Sequence, residues 1–412
     1  MSLKTESEGV RLGLRNKLQV RPRKPQAAGL TILSVRLPFP WQSEFARGHS
    51  PSEVWRIPTA AHGTSFAPAR EVASIFSGAR SRTNAAWRAV SLAVAAVSVI
   101  NVHSSAGLVL ESSIAALYPG DAGIENHPDV VFVEKFEESA LPDLFSRWTD
   151  ILNGPTMTLN ADVPPGSPGT HSLSIPWVGG GVNNGGHLYK QLNPAIDDTL
   201  YVRYYIKYPT NGQYHHEGIW MGGYNPPLAW PNPQAGVKPV GNDRFSAAAE
   251  QSQATLRFDH YNYWMNMRAA PDGNYWGNRL LNNPNILGRR GQWMCVEHMV
   301  KLNNPVTSSN GEHAIWIDGV KVSHLGQGFP NGSWAWGNFT QNPVGAPFEC
   351  LQWRNNANLK LNWIWLQNYS PDDPPGFTSS MKFDHVVAAK SHIGCLASGA
   401  PSPPTGLRIV RD

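Results

Sequence analysis

"GQWMCVEHMVKLNNPVTSSNGEHAIWIDGVKV", residues 291–322, decides the fold. Apolar and polar residues alternate along 292–302, pause in a polar stretch holding Asn-Asn-Pro and Asn-Gly, and alternate again along 313–322. A period of two marks a half-buried strand, and two such arms joined by a connecting turn read as scaffold. Alternation turns Val296, Val300 and Leu302 toward a core and Cys295, Glu297, Met299 and Lys301 away from it. Glu297 and its neighbour His298 therefore point to opposite faces and cannot act as an adjacent pair on one substrate. Glu297 is expected at a groove edge or in solvent, and His298 as a hydrogen-bonded inner residue.

The same pattern extends in both directions. Further candidate strands are 130–137, 171–177, 187–192, 200–208, 217–223, 244–250, 254–267, 361–369 and 381–390, separated by Gly, Pro and Asn. Thirteen of the 16 tryptophans fall between Trp148 and Trp365, within this region. Helix is expected only near 141–151 and in the N-terminal segment. Many short strands with almost no helix predict an all-β sandwich or jelly roll of two antiparallel sheets, one of them concave.

Charge is divided unevenly. Residues 1–88 hold 14 Lys/Arg and 5 Asp/Glu, leaving 20 and 25 for the rest, so the basic excess belongs to the leader. Residues 86–106 join arginines, a short apolar run and small residues in the order of a secretory signal. The run is too short for a membrane span of about 20 residues. Residues 1–85, which precede the signal, read as a disordered basic leader or as a start placed too far upstream, with initiation at Val72 if its codon is GTG. Residues 107–396 are expected to form one β-rich domain and 397–412 a Pro-rich tail. A secreted monomer is expected, with neither nucleic acid nor membrane as partner. Three cysteines, Cys295, Cys350 and Cys395, allow one disulfide and leave one thiol over. No Cys/His spacing suits zinc. No cofactor is expected, although Asp197/Asp198 and Asp372/Asp373 offer carboxylates for a structural calcium.

Face assignments suggest where chemistry lies. In 200–208, Val202, Tyr204 and Ile206 form a core set, with Arg203, Tyr205 and Lys207 opposite as substrate-binding candidates. In 254–267, Phe258 and Trp264 share one face, and Arg257, Asp259, Tyr261 and Tyr263 the other. A face so rich in polar and aromatic groups suits a sugar chain, since rings cover the apolar faces of pyranoses and charged groups take the hydroxyls and carboxylates. Most strand tryptophans and tyrosines nonetheless serve packing.

Together with "LYVRYYIKYP" before it and "FDHVVAAKSHIG" after it, the quoted stretch resembles the concanavalin A-like jelly-roll polysaccharide lyases of the alginate and glucuronan lyase families, over residues 129–395. The resemblance implies β-elimination, in which a cation neutralises a uronate carboxylate, a base removes the C5 proton and an acid protonates the leaving oxygen. It carries a Lys on one strand, Ser-x-Arg on the next and Tyr-x-Tyr on the one after. Tyr261 and Tyr263 match the last element as base and acid, and Ser246 matches the serine. Ala248 stands where the arginine belongs, and "HHEG", 215–218, where the lysine does. Arg257 is placed to replace the missing cation, and His215 or His216 the lysine, with Glu250 a further groove residue. Two alternatives stand beside this: a glycoside hydrolase using Glu217 and Glu250 as paired carboxylates, and a non-catalytic carbohydrate-binding module. "WVGGGVNNGGH" (177–187) lacks nucleotide-loop spacing. The insertion 224–243, rich in Pro, Asn and Gly, is long enough for a lid or binding loop.

Overall fold

Period-two alternation becomes two facing sheets. The computed structural model describes residues 113–397 except 182–184, 253–255, 282, 284, 350 and 371. The leader, the signal-like segment, Cys350 and the tail beyond 397 lie outside the described residues. Those described all belong to one of two compact units, Pro40–Asp412.

With strands numbered in chain order, the eight-stranded sheet runs β13 (Val320–Leu325), β12 (Glu312–Ile317), β11 (Trp293–Lys301), β6 (Thr199–Lys207), β18 (Thr378–Ala389), β4 (Ser172–Val178), β3 (Thr158–Asn160), with β1 (Val130–Glu134) also on β18. The ten-stranded sheet runs β16 (Ala346–Pro347), β14 (Asn331–Ala335), β15 (Asn338–Gln341), β10 (Asn278–Arg279), β9 (Arg257–Tyr263), β8 (Arg244–Ser252), β7 (His216–Tyr224), β17 (Leu361–Tyr369), β5 (Gly186–Ile196), β2 (Asp150–Leu152). Between these named strands the pairing is antiparallel except for one parallel contact, Arg279 with Asn338. The chain is an all-β jelly-roll sandwich.

Two local expectations change. The second arm, 313–322, is two strands and not one, because Asp318 and Gly319 both take left-handed backbone and fold β12 back onto β13. An Asp-Gly pair is the sequence signal for that turn. The helix expected over 141–151 spans only Leu141–Phe145, and Asp150–Leu152 pairs with β5.

Between the sheets lie Val202, Tyr204, Ile206, Val296, Val300 and Phe258, all fully buried, as alternation requires. Polar groups share this interior. Ser323 Oγ lies 2.6 Å from His260 Nε2, whose Nδ1 is 2.9 Å from His313 Nδ1. His313 Nε2 is 3.4 Å from His298 Nδ1. His298 is thus the inner residue expected. The chain also identifies the even-numbered face of β9 as inward, and so turns Tyr261 and Tyr263 outward.

The outer face of the eight-stranded sheet is covered, which corrects four assignments. Glu297 is 1% exposed, and its carboxylate accepts the Ile393 and Gly394 N–H groups at 2.9 and 2.8 Å and contacts His392 Nδ1 at 3.0 Å. Beside it Cys295 is bonded to Cys395. Arg203 is wholly buried and donates to both Asp121 oxygens at 2.8 and 2.7 Å and to the His385 carbonyl at 2.9 Å. Tyr205 accepts the Leu396 N–H at 2.9 Å, and Lys207 donates to Asp162 at 2.7 Å. None of these four faces a groove. They fasten the segments at both ends of the described chain to the sheet.

Candidate active site

Strand register gathers one row across the outward face of the ten-stranded sheet. Asp150 pairs with Tyr189, Tyr189 with Trp365, Trp365 with Trp220, Trp220 with Ala248, Ala248 with Tyr261 and Tyr261 with Arg279. Directly paired residues on antiparallel strands point the same way, so their side chains adjoin.

His216 and Glu250 lie on this face further along their strands, four residues from Trp220 and two from Ala248. His216 Nδ1 is 2.9 Å from each carboxyl oxygen of Glu250, and Trp220 Nε1 donates to Glu250 Oε1 at 2.6 Å. Burial pushes the Glu250 carboxyl up to about 8, against the pull of the charges on His215 and Arg279 and of the Trp220 N–H. Burial, reinforced by repulsion from Arg279, takes the His216 imidazole down to about 3. Both shifts have one cause, the cost of holding charge away from water. The pair titrates as a unit with one proton shared between imidazole and carboxyl.

The phenols complete the cluster. The Tyr261 ring centroid lies 5.3 Å from that of His216, 5.6 Å from Trp220 and 5.8 Å from Tyr263. Tyr263 hydrogen-bonds Tyr261, whose own hydroxyl donates to the Trp276 carbonyl. Burial lifts both phenols well above their ordinary value of 10. They stay protonated at neutral pH, which suits a proton donor and opposes the base role expected for Tyr261.

Arg279 is a site residue that no sequence pattern marks. It occupies a two-residue strand beyond β9, level with Tyr261, where no periodicity marks it. It makes no hydrogen bond or ion pair among the described residues. Arg257 shares the face of Tyr261 but lies four residues along the strand, roughly 13 Å away. The cation level with the phenol is therefore Arg279.

The remaining candidates divide. His215 Nδ1 pairs with Asp372 at 2.8 Å, with its ring 4.3 Å from that of His216 at the edge of the site. Ser246, level with Tyr263, is buried on the same face. Glu217 turns the other way, into the sandwich, where Gln251 and Ser370 donate to it. A hydrolase pair of Glu217 and Glu250 is thereby excluded, because the sheet stands between the two carboxylates. The acidic pairs offered for calcium are occupied by protein groups. Asp197 pairs with Arg354 and Lys360, and Asp373 takes Trp177 Nε1 and the Gln213 N–H.

A second constellation has the atom order of a hydrolase triad. Asp121 Oδ2 lies 2.8 Å from His385 Nδ1, and His385 Nε2 lies 2.8 Å from Ser167 Oγ. Asp121 already pairs with Arg203, and the N–H groups of Ser167 and Gly169 are spent inside their own loop. Oxyanion donors at the nucleophile are what such chemistry requires, so this network is a clamp.

No protein-family model matches the chain, and no curated protein matches it. Solved structures do, at low identity. Alginate lyase Aly36B is 12% identical, with 64% of this chain and 98% of that one covered and a TM-score of 0.41. Alginate lyase vAL-1 from Chlorella virus is 10% identical, with 64% and 100% covered and a TM-score of 0.43. The cellulose-induced protein Cip1 is 16% identical, with 64% and 99% covered and a TM-score of 0.37. The chemistry rests on the side chains.

Proposed function

We propose that the chain is a polysaccharide lyase that breaks uronate-containing chains by β-elimination. The observation that carries this is a guanidinium with no protein partner among the described residues, level with a protonated phenol that leans on a histidine–carboxyl pair. Arg279 takes the uronate carboxylate and stabilises negative charge as it develops at C5. The His216–Glu250 pair receives the C5 proton on the imidazole of His216, and its high combined proton affinity favours the transfer. Tyr261 rotates its O–H from the Trp276 carbonyl to the glycosidic oxygen and protonates it as the C4–O bond breaks. Tyr263, hydrogen-bonded to Tyr261, supports the transfer. The products are a new reducing end and a C4=C5 unsaturated uronate.

Export to an oxidising compartment accompanies this reading, supported by the disulfide between Cys295 and Cys395 and by the signal-like segment. The test is incubation of the protein with polyuronates and neutral glycans, following ultraviolet absorbance and reducing ends together. Both rising on a polyuronate supports elimination. Reducing ends without absorbance mean hydrolysis, and retention on a polysaccharide column with neither signal means a binding module.

A further inference from the structure

We propose, resting on the lyase reading above, that the site takes its polysaccharide by a chain end, so that cleavage is exolytic. Two segments roof the active face and meet each other. The first is the insertion between β7 and β8, closed at its base by the Asn225 N–H donating to the Asp243 carbonyl at 2.7 Å. It is pinned to the face by Tyr189, whose hydroxyl donates to the Leu228 carbonyl at 3.1 Å. The Asn232 N–H donates to the Tyr224 hydroxyl at 2.8 Å, and Arg244 to the Asn232 carbonyl at 3.1 Å.

The second segment is the turn before β10. The Asn274 carbonyl accepts the Ala270 N–H at 2.8 Å, and Asp272 accepts Trp276 Nε1 at 2.7 Å. Its last residues lie on Tyr261. The Trp276 carbonyl accepts the hydrogen bond of the Tyr261 hydroxyl, and a Cβ at Gly277 would run into the phenol ring. The two segments join where the Gly236 N–H donates to the Tyr275 carbonyl at 3.0 Å and the Tyr275 N–H returns to the Gly236 carbonyl at 3.2 Å. Gly236 holds φ at +82°, and a Cβ there would come within 3.4 Å of the Trp276 indole.

The roof thus runs from β5 across to β10, and what lies beneath it is closed. Tyr224, Trp363 and Tyr263 are between 1% and 3% exposed. Solvent reaches Tyr261, Arg279, Tyr369 and His215, which are half-buried. Beside them a water-sized cavity of about 20 Å³ opens between His187, Trp365, Gln367 and Tyr369. Among the described residues, a sugar chain entering from the Tyr369 side meets the Trp276–Gly277 segment at the reacting phenol and is stopped there. A terminal segment fits such a site, and the middle of a polymer does not.

The experiment digests a high-molecular-weight polyuronate with the full protein while following absorbance, viscosity and product size. Unsaturated mono- or disaccharide from the first turnovers, with viscosity nearly unchanged, is the expected result. Rising absorbance with collapsing viscosity and long early products overturns the chain-end inference and leaves the lyase reading standing. No absorbance on any polyuronate removes both. Gly236→Pro lacks the bridging N–H and cannot hold the positive φ, and is expected to shift early products to longer oligomers. Trp276→Ala, which leaves the backbone bridge intact, tests the indole contact if the proline variant does not fold. Unchanged early products in a folded Gly236→Pro protein would show that the junction does not close the site.

Discussion

His216 Nδ1 lies 2.9 Å from both carboxyl oxygens of Glu250, in a site nearly closed to water. The pair sets how stability depends on pH. Unfolded, the two groups titrate near 4.5 and 6.5; folded, near 8 and 3. Between pH 4.5 and 6.5 both states hold one proton and the pair contributes no slope. Above 6.5 the unfolded pair is empty while the folded pair keeps its proton, so stability falls until about pH 8. Below 4.5 the unfolded pair holds two protons and the folded pair one, so stability falls again toward pH 3. Each limb has a slope on the order of 1 kcal/mol per pH unit. Thermal unfolding of Glu250→Gln from pH 4 to 9 should lose the alkaline limb, and an unchanged limb would show that Glu250 is not its source.

Catalysis should follow the same pair in the opposite sense. The imidazole accepts the C5 proton once the shared proton has left, so kcat is expected to rise with pH through about 8. A pH–rate profile that is flat from 6 to 9 would remove the pair as base.

Tyr261→Phe is expected to lower kcat by about 10²- to 10⁴-fold, the range for loss of a positioned acid, with little change in KM. Tyr263→Phe should cost less, because its hydroxyl acts through Tyr261. Initial rates by absorbance, with binding read from tryptophan quenching, separate the two parameters. A larger loss in Tyr263→Phe than in Tyr261→Phe would make Tyr263 the donor.

Arg279→Ala should lower kcat/KM on a polyuronate by about 10²- to 10³-fold, the magnitude for removing one charge-stabilising donor. Arg257→Ala should stay within a few-fold of the parent. If Arg257→Ala proves the more damaging, the cation has been assigned to the wrong strand.

Stability away from the site rests on the covered face. The bond between Cys295 and Cys395 closes a separation of 100 residues, and Cys295→Ser should cost about 2–5 kcal/mol. Glu297→Ala strands the Ile393 and Gly394 N–H groups, at about 1–3 kcal/mol each. Urea unfolding measures both, and the folded variants should keep their activity. A Glu297→Ala protein of parental stability but lost activity would instead place Glu297 in the chemistry.

What the sequence determined by itself follows from the reach of alternation. Side chains two apart on a strand share a face for local steric reasons, so the strands, the core set of Val202, Tyr204 and Ile206, and the common face of Tyr261 and Tyr263 were legible in the residues alone. How the face of one strand relates to that of the next depends on register, and register belongs to the tertiary structure. That is why Glu217 and Glu250 read as a pair although a sheet divides them, and why alternation alone turns Arg203, Tyr205 and Lys207 toward a groove when Asp121, Asp162 and Leu396 bind them from segments laid over that face. Arg279 reaches Tyr261 from a strand of two residues, too short to carry a period, across a turn held by backbone hydrogen bonds and a glycine seated on the phenol. Only the folded chain brings that cation to the phenol and closes the roof above them.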